Sequence, residues 1–240
     1  MKTCLLGAAF ALSIACVSGC GLSTDAASED ENATSDGEEA SQSALSSSEY
    51  PTPNLSDDEK AQISARYHLD PDGVIPKTLL LDAVAFFDSN KAKIKNRNYL
   101  TVVDFSKHSG KQRLFVVNMT SGDVSAYVVA HGSGSDPGNT GYATRFSNVN
   151  NSNETSLGYY ITGETYDGKH GNSMRLDGVS STDSNARARA IVMHGADYVG
   201  EGRSRQGRSW GCLAMPPNEK DGVIAKLKGG SVIYAAHPSN

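Results

Sequence analysis

The stretch "QRLFVVNMTSGDVSAYVVAH", Gln112 to His131, decides the fold class of this 240-residue chain. Two runs rich in β-branched and aromatic residues flank Ser121-Gly122-Asp123, and that pattern predicts a β-hairpin. The same signature lies on either side. "YLTVVDF" (99–105) precedes the hairpin; "SLGYYITGETY" (156–166), "NSMRLDG" (172–178), "RAIVMH" (189–194) and "GSVIYAAH" (230–237) follow it. "PPNEKDGVIAKLKGG" (216–230) instead fits one short helix with a glycine stop. Many short strands joined by Gly-rich loops, with few helices, imply a mainly β domain of sandwich or barrel-like form. The chain holds no internal repeat, phosphate-binding loop or dinucleotide fingerprint, so no cofactor is expected.

Upstream of the strands the pattern is helical. In "NLSDDEKAQISARYHL" (54–69), Ser56 is placed to cap a helix, Glu59 sits three residues on, and Leu55 precedes the cap. "DPDG" (70–73) stops that helix. "IPKTLLLDAVAFFDSNKAKI" (75–94) starts another, with Pro76 expected in the first turn and Leu79, Leu80, Ala83, Phe86 and Phe87 on one face. A packing role against the β domain is expected of these helices. The reading is thus a helical part over 55–95 and a β-rich domain over 96–238.

The first 54 residues have a different character. Eleven of the 27 Asp and Glu residues fall between 21 and 60 against one Lys, so the net charge of -5 conceals a mildly basic folded part. Residues 20–54 have too few apolar side chains to offset the entropy of ordering and read as a flexible acidic tether. "MKTCLLGAAFALSIACVSGC" has Lys2, a short apolar run and small residues at Ser18 and Gly19, the layout of a signal peptide over 1–19. Its "VSGC" end resembles the lipobox of bacterial lipoproteins, which implies acylation of Cys20 and a lipid anchor to a membrane. Gly21 after that cysteine implies sorting to the outer membrane. Ordinary cleavage near Ala15 or Gly19, with release, is the alternative.

That subtraction gives the remaining thiol its weight. Cys4 and Cys16 leave with the signal and Cys20 is lipidated, so Cys212 is the one thiol left to the mature domain. An exported chain favours paired cysteines, and an unpaired one is a candidate reactive thiol. The competing reading is a small buried apolar residue. Its surroundings, "GRSWGC" with Arg208, Ser209, Trp210 and Gly211, do not resemble a core strand. A thiol nucleophile needs a base, an orienter for that base and donors for the developing oxyanion. His194 ends the run "RAIVM" and is followed by Gly195, so it can be rigid and yet face a cleft. Asp197 or a backbone carbonyl can orient it. The amides of Gly211 and Cys212 are candidate oxyanion donors.

Other residues carry two readings each. Arg203, Arg205 and Arg208 are either solvated loop charges or a cationic group that attracts anions and favours a thiolate. His131, in "AHGSGSD", is a cleft residue or a satisfied structural histidine; His170, in "YDGKHGNS", lines the cleft or caps a turn, with the turn favoured. His68, His108 and His237 read as structural or surface residues. No Cys/His spacing fits zinc, and "SDPGN" lacks the calcium-loop pattern, so no metal is expected. Nucleic acid is a poor partner, because the basic cluster has no interleaved aromatics.

The pair "AIVMHGADYV" and "GRSWGCLAMP" resembles the active-site signature of the YkuD-type murein L,D-transpeptidases, in which a His-Gly step precedes a Ser-x-Gly-Cys element. "VVAHGSGSD" and "RFSNVNNSNETSLGYYITGETYDGKHGNSMRLDG" fit one branch of that family, and the likeness spans about residues 75–236. The resemblance implies a YkuD-like catalytic domain over 96–238. Cys212 would be the acylated nucleophile, His194 its base and Gly195 the carbonyl that orients the base. Ser209, Trp210 and Gly211 would shape the loop. It further implies peptidoglycan tetrapeptide stems as substrate, 3-3 cross-links as product and a periplasm-facing location in the bacterial envelope. Two departures stand out: Trp210 occupies a position where many members have histidine, and Ala214 one where many have arginine. Arg208 or Arg205 would then supply the missing charge. An L,D-carboxypeptidase or endopeptidase using the same cysteine, or a non-catalytic murein-binding lipoprotein, are the other readings.

Overall fold

The computed structural model describes residues 45–238, together with Met1. The leader, Cys20 and all but the end of the acidic segment lie outside the described residues. Two helices come first. Helix α1 (Asp57–Ala65) starts with the expected reciprocal cap, the Ser56 hydroxyl accepting from Glu59 N and the Glu59 carboxylate accepting from Ser56 N. Helix α2 (Lys77–Asn90) begins one residue later than expected: Pro76, with φ -52° and ψ 125°, stands just outside the first turn. Its apolar face is buried as the spacing requires, including Leu79, Leu80, Ala83, Phe86 and Phe87.

Eight strands follow: β1 (Tyr99–Asp104), β2 (Leu114–Asn118), β3 (Val124–Tyr127), β4 (Gly158–Gly168), β5 (Gly171–Gly178), β6 (Val192–Gly195), β7 (Leu213–Met215) and β8 (Val232–Ala236). Helix α3 (Pro217–Leu227) joins the last two. The opening hairpin forms as read, with Leu114 opposite Tyr127 and Val117 opposite Val124, and Gly122 supplies the left-handed turn residue at φ 82°. Strand β7 escaped the sequence reading. Three residues directly after Gly-Cys are too few to show a period of two.

All eight strands join one sheet in the order β3-β2-β1-β8-β4-β5-β6-β7. The β1–β8 and β6–β7 pairs are parallel and the other pairs antiparallel. The barrel-like form of the expected fold is therefore the one adopted, because its two edges meet. Past Tyr127 the chain leaves β2 and bonds the opposite edge: Ala130 N–H donates to Ala214 O at 2.9 Å, and Gly132 bridges Ser209. This near-closure satisfies edge groups that would otherwise lie open.

Alternation along the strands separates two cores. Val103, Leu114, Val116, Tyr160, Met193, Leu213 and Ile233 face inward with Val223, Ile224 and Leu227 of α3. Leu100, Val102, Phe115, Val117, Tyr159, Ile161 and Val232 face outward beneath α2. Phe86 of α2 stacks on Tyr159 at 3.9 Å between centroids, which ties the helix to the sheet. A packing role for α2 is what the contacts show.

One buried carboxyl makes stability depend on pH. Asp183 accepts a hydrogen bond from Ser180 N at 2.7 Å through Oδ1, while Oδ2 is buried without a partner. Burial pushes its pKa up from 3.8 to about 8. A raised folded pKa gives stability that is complete below the unfolded value and is lost as pH rises through about 8. Unfolding free energy is expected to fall between pH 4 and 8 with a slope from this group of up to about 1.4 kcal/mol per pH unit. Asp183→Asn keeps an acceptor for Ser180 N and is expected to remove that slope in urea titrations across the range.

Candidate active site

Strands β6 and β7 bring the two sequence candidates together. Met193 pairs with Leu213 and His194 with Ala214 in parallel register, and Cys212 immediately precedes β7. Met193 and Leu213 point into the inner core, so strand alternation turns His194 and Ala214 to the other face. Two residues along and one strand across place the Cys212 and His194 backbones ~8 Å apart, within reach for an imidazole and a thiol. Both residues are buried, His194 at 1% and Cys212 at 8% exposure.

The imidazole has a defined tautomer. His194 Nδ1 lies 2.9 Å from Gly195 O, an atom that only accepts, so Nδ1 carries the hydrogen and a neutral ring keeps its lone pair on Nε2. The Gly195 backbone carbonyl is the acceptor that holds this nitrogen. Gly195 has a second constraint: a Cβ there would stand 2.5 Å from Cδ of Lys220, the α3 side chain packed beneath it.

The thiol loop is held from within. Ser209 Oγ donates to Cys212 O at 2.8 Å and accepts from Gly211 N at 3.1 Å. Both bonds run through the one Ser209 hydroxyl and close the 209–212 turn on itself. The Gly211 amide, one of the two expected oxyanion donors, is engaged by Ser209 Oγ. Gly211 itself has φ 120°, and a Cβ would meet Glu154 O at 2.8 Å and Ile191 Cδ1 at 2.9 Å. Both the conformation and the space require glycine. The Cys212 thiol rests 3.7 Å from Ala190 O, and Trp210 is half-buried at the loop's corner.

His131 lies beneath this loop rather than in a cleft. It is 1% exposed, and its backbone carbonyl accepts from Ser209 N at 2.9 Å. Arg113, fully buried, donates through NH2 to His131 Nδ1 at 2.9 Å and to Val129 O at 2.7 Å, through Nε to Val129 O at 3.0 Å and through NH1 to Lys107 O at 3.0 Å. Burial, and then the Arg113 charge, push the His131 imidazole down to about 3, so the ring is neutral. Its Nε2 faces Asp136 Oδ2 at 3.5 Å. Although burial opposes it, bonds from the Thr140 and Gly141 amides hold the Asp136 carboxyl below its usual range.

The arginines sort differently from the sequence expectation. Arg208 donates to Asp136 O at 2.5 Å, Arg205 to Asn139 O and the exposed Arg203 to Asp197 O at 2.8 Å. All three bind loop carbonyls. The guanidinium beside the thiol loop is Arg189, whose NH2 lies 3.3 Å from where a Gly211 Cβ would be. It donates to Ser147 O, Ser156 Oγ, Ser152 Oγ and Glu154 O, fixing the 147–156 loop against the site. Burial lowers its basicity, while Tyr160, Cys212 and Glu154 oppose that. Arg189 opens the strand run "RAIVMH", and nothing local in the sequence marks it as a neighbour of Cys212.

His170 combines the two readings the sequence allowed. It does sit in a turn, the two-residue tip of the β4–β5 hairpin between Gly168 and Gly171, but its ring also lies against His194 with centroids 4.4 Å apart at 32°. The antiparallel register of β5 with β6, Met174 opposite Met193, carries the hairpin tip past the end of β6 and over the site.

A thiol directly before one strand and an oriented imidazole on its neighbour are the parts that thiol-dependent acyl transfer requires. The chain belongs to the L,D-transpeptidase catalytic domain family, whose model matches residues 73–236. Members of that family act on peptidoglycan peptide stems. Among solved structures, the chain is similar to an L,D-transpeptidase from Mycobacterium smegmatis at 12% identity, with 58% of each chain covered and a TM-score of 0.38. It is similar to an L,D-transpeptidase from Stackebrandtia nassauensis at 17% identity, covering 75% of this chain and 77% of that one, TM-score 0.36. A third is the helical cell shape determining protein Pgp2 from Campylobacter jejuni, at 11% identity, 59% and 49% coverage and TM-score 0.37. The alignment thus spans less than two thirds of the M. smegmatis and C. jejuni chains. Among curated proteins none matches.

Proposed function

We propose that this protein is a peptidoglycan L,D-transpeptidase that forms 3-3 cross-links through a Cys212 thioester. The observation that carries the reading is the His194 Nδ1–Gly195 O bond, on the strand paired with the segment that follows Cys212. It turns the Nε2 lone pair into a base without a carboxylate. In the acylation half, His194 takes the thiol proton and Cys212 Sγ attacks the carbonyl carbon of the third residue of a tetrapeptide stem. The carbon–nitrogen bond breaks, and the terminal D-alanine leaves with the proton from His194. The Cys212 amide faces the developing oxyanion. In the second half, an amine of a neighbouring stem takes the acyl group. Cys20, once acylated, would anchor the chain in the envelope, with residues 20–54 as the reach to the murein and the periplasmic face as its location.

The test has two stages. A carbapenem is expected to add its mass to the reduced wild-type protein and not to Cys212→Ala. Purified tetrapeptide muropeptides are then expected to yield cross-linked dimer along with released D-alanine. Tripeptide without dimer would assign an L,D-carboxypeptidase instead, and no acyl-enzyme at all would assign a murein binder.

A further inference from the structure

We propose that His170 is the acceptor-side base of this site, the group that makes the incoming amine nucleophilic. The inference deepens the acyl-transfer reading above and rests on it. Three elements converge to hold this residue in place. Its ring lies tilted against His194, with centroids 4.4 Å apart. Two residues on, Asn172 ties the hairpin tip to α3: Lys220 Nζ donates to Asn172 O at 3.1 Å, and Asn172 Nδ2 donates to Asp221 Oδ1 at 2.8 Å. Lys220 Nζ also pairs with Asp221 Oδ1 at 2.8 Å, and the stem of Lys220 runs under Gly195. The tip is therefore built against the same glycine that orients His194. His170 is half-buried, whereas His194 is not accessible, so the outer of the two rings is the one that meets an acceptor arriving from solvent. The position before Gly211 holds Trp210, which has no basic nitrogen; a second imidazole reaches this site from another element of the fold.

The proton count explains why two imidazoles are needed. An acceptor amine of a diamino acid arrives as an ammonium and must lose two protons. The first passes to His170, and the nitrogen keeps the electron pair. That pair forms the carbon–nitrogen bond to the thioester carbonyl, and the carbon–sulfur bond breaks with its electrons leaving on Cys212 Sγ. The second proton passes from nitrogen to His194 and on to Sγ, and His170 gives its proton to water. Water as acceptor arrives neutral and yields one proton in attacking, which His194 alone can take. His170 thus biases the acyl-enzyme toward amines over water.

The experiment compares the two fates of one acyl-enzyme. His170→Phe keeps a flat ring against His194 and removes the basic nitrogen. Dimer and tripeptide both descend from the acylated Cys212, so any loss of acylation lowers both and leaves their ratio alone. The dimer-to-tripeptide ratio is expected to fall about 10²-fold in the variant. With hydroxylamine, an amine mostly unprotonated at neutral pH, the hydroxamate-to-tripeptide ratio is expected to stay at the wild-type value. An unchanged dimer ratio, or an equal fall with both acceptors, overturns the proposal by leaving His170 a packing residue. A wild-type acyl-enzyme that passes only to water overturns it as well. Absence of any wild-type acyl-enzyme sinks the underlying transpeptidase reading, and this inference falls with it. If circular dichroism finds the Phe variant misfolded, His170→Gln is read by the same two ratios.

Discussion

His194→Gln is expected to slow acylation of Cys212 by about 10²–10⁴-fold, the range a positioned general base supplies. Glutamine can donate to Gly195 O as the imidazole does, and it fits a buried strand position, so the sheet has no reason to open. What it lacks is a nitrogen lone pair basic enough to take the thiol proton. The measurement is an intact-mass time course of carbapenem addition, with thermal denaturation alongside. A rate within threefold of wild type, in a variant of unchanged melting temperature, would remove His194 from the mechanism. Raising the pH should recover part of the lost rate, since the thiolate then forms without help.

Arg113→Met is expected to cost about 3–5 kcal/mol of stability and to lower the melting temperature by on the order of 10 °C. The side chain is fully buried and its guanidinium satisfies Val129 O twice, Lys107 O and His131 Nδ1. Methionine fills much of the volume and none of the hydrogen bonds, so three acceptors are stranded at once. Asp104 and Asp136 also lose the cation that faces them. Lysine should rescue little, because a point charge cannot reproduce the planar fork. Thermal melts of the three proteins check this. The effect should extend to acylation, because the 128–131 segment that Arg113 fixes is the one whose His131 carbonyl bonds Ser209 N and so seats the thiol loop. A melting temperature within 2 °C of wild type would show that the buried network holds nothing; the sensitivity of about 2–4 °C per kcal/mol sets that threshold.

Two kinds of information separate here. The strands were legible wherever alternation ran five residues or more, as in "QRLFVVNM", and the helix caps were legible where chemistry is local, as at Ser56 and Glu59. Strand β7 was not, at three residues. Cys212 and His194 stood out by elimination and by a family signature that lies within nineteen residues of chain. Arg189, Arg113 and His170 did not, although each touches that site or its support.

By itself the sequence determined that the chain is mainly β, that it carries one thiol beyond residue 20, and that His194-Gly195 precedes that thiol by a loop's length. These are properties of neighbours along the backbone, where period, capping and subtraction apply. Only the tertiary structure decided which arginine lies beside Gly211, which histidine underlies the loop and which histidine lies against His194. Those choices follow from strand order and register, β4-β5-β6-β7 with Met174 opposite Met193 and His194 opposite Ala214. Register is set by burying two whole faces of a sheet at once, and no window of sequence short enough to show a pattern contains that sum.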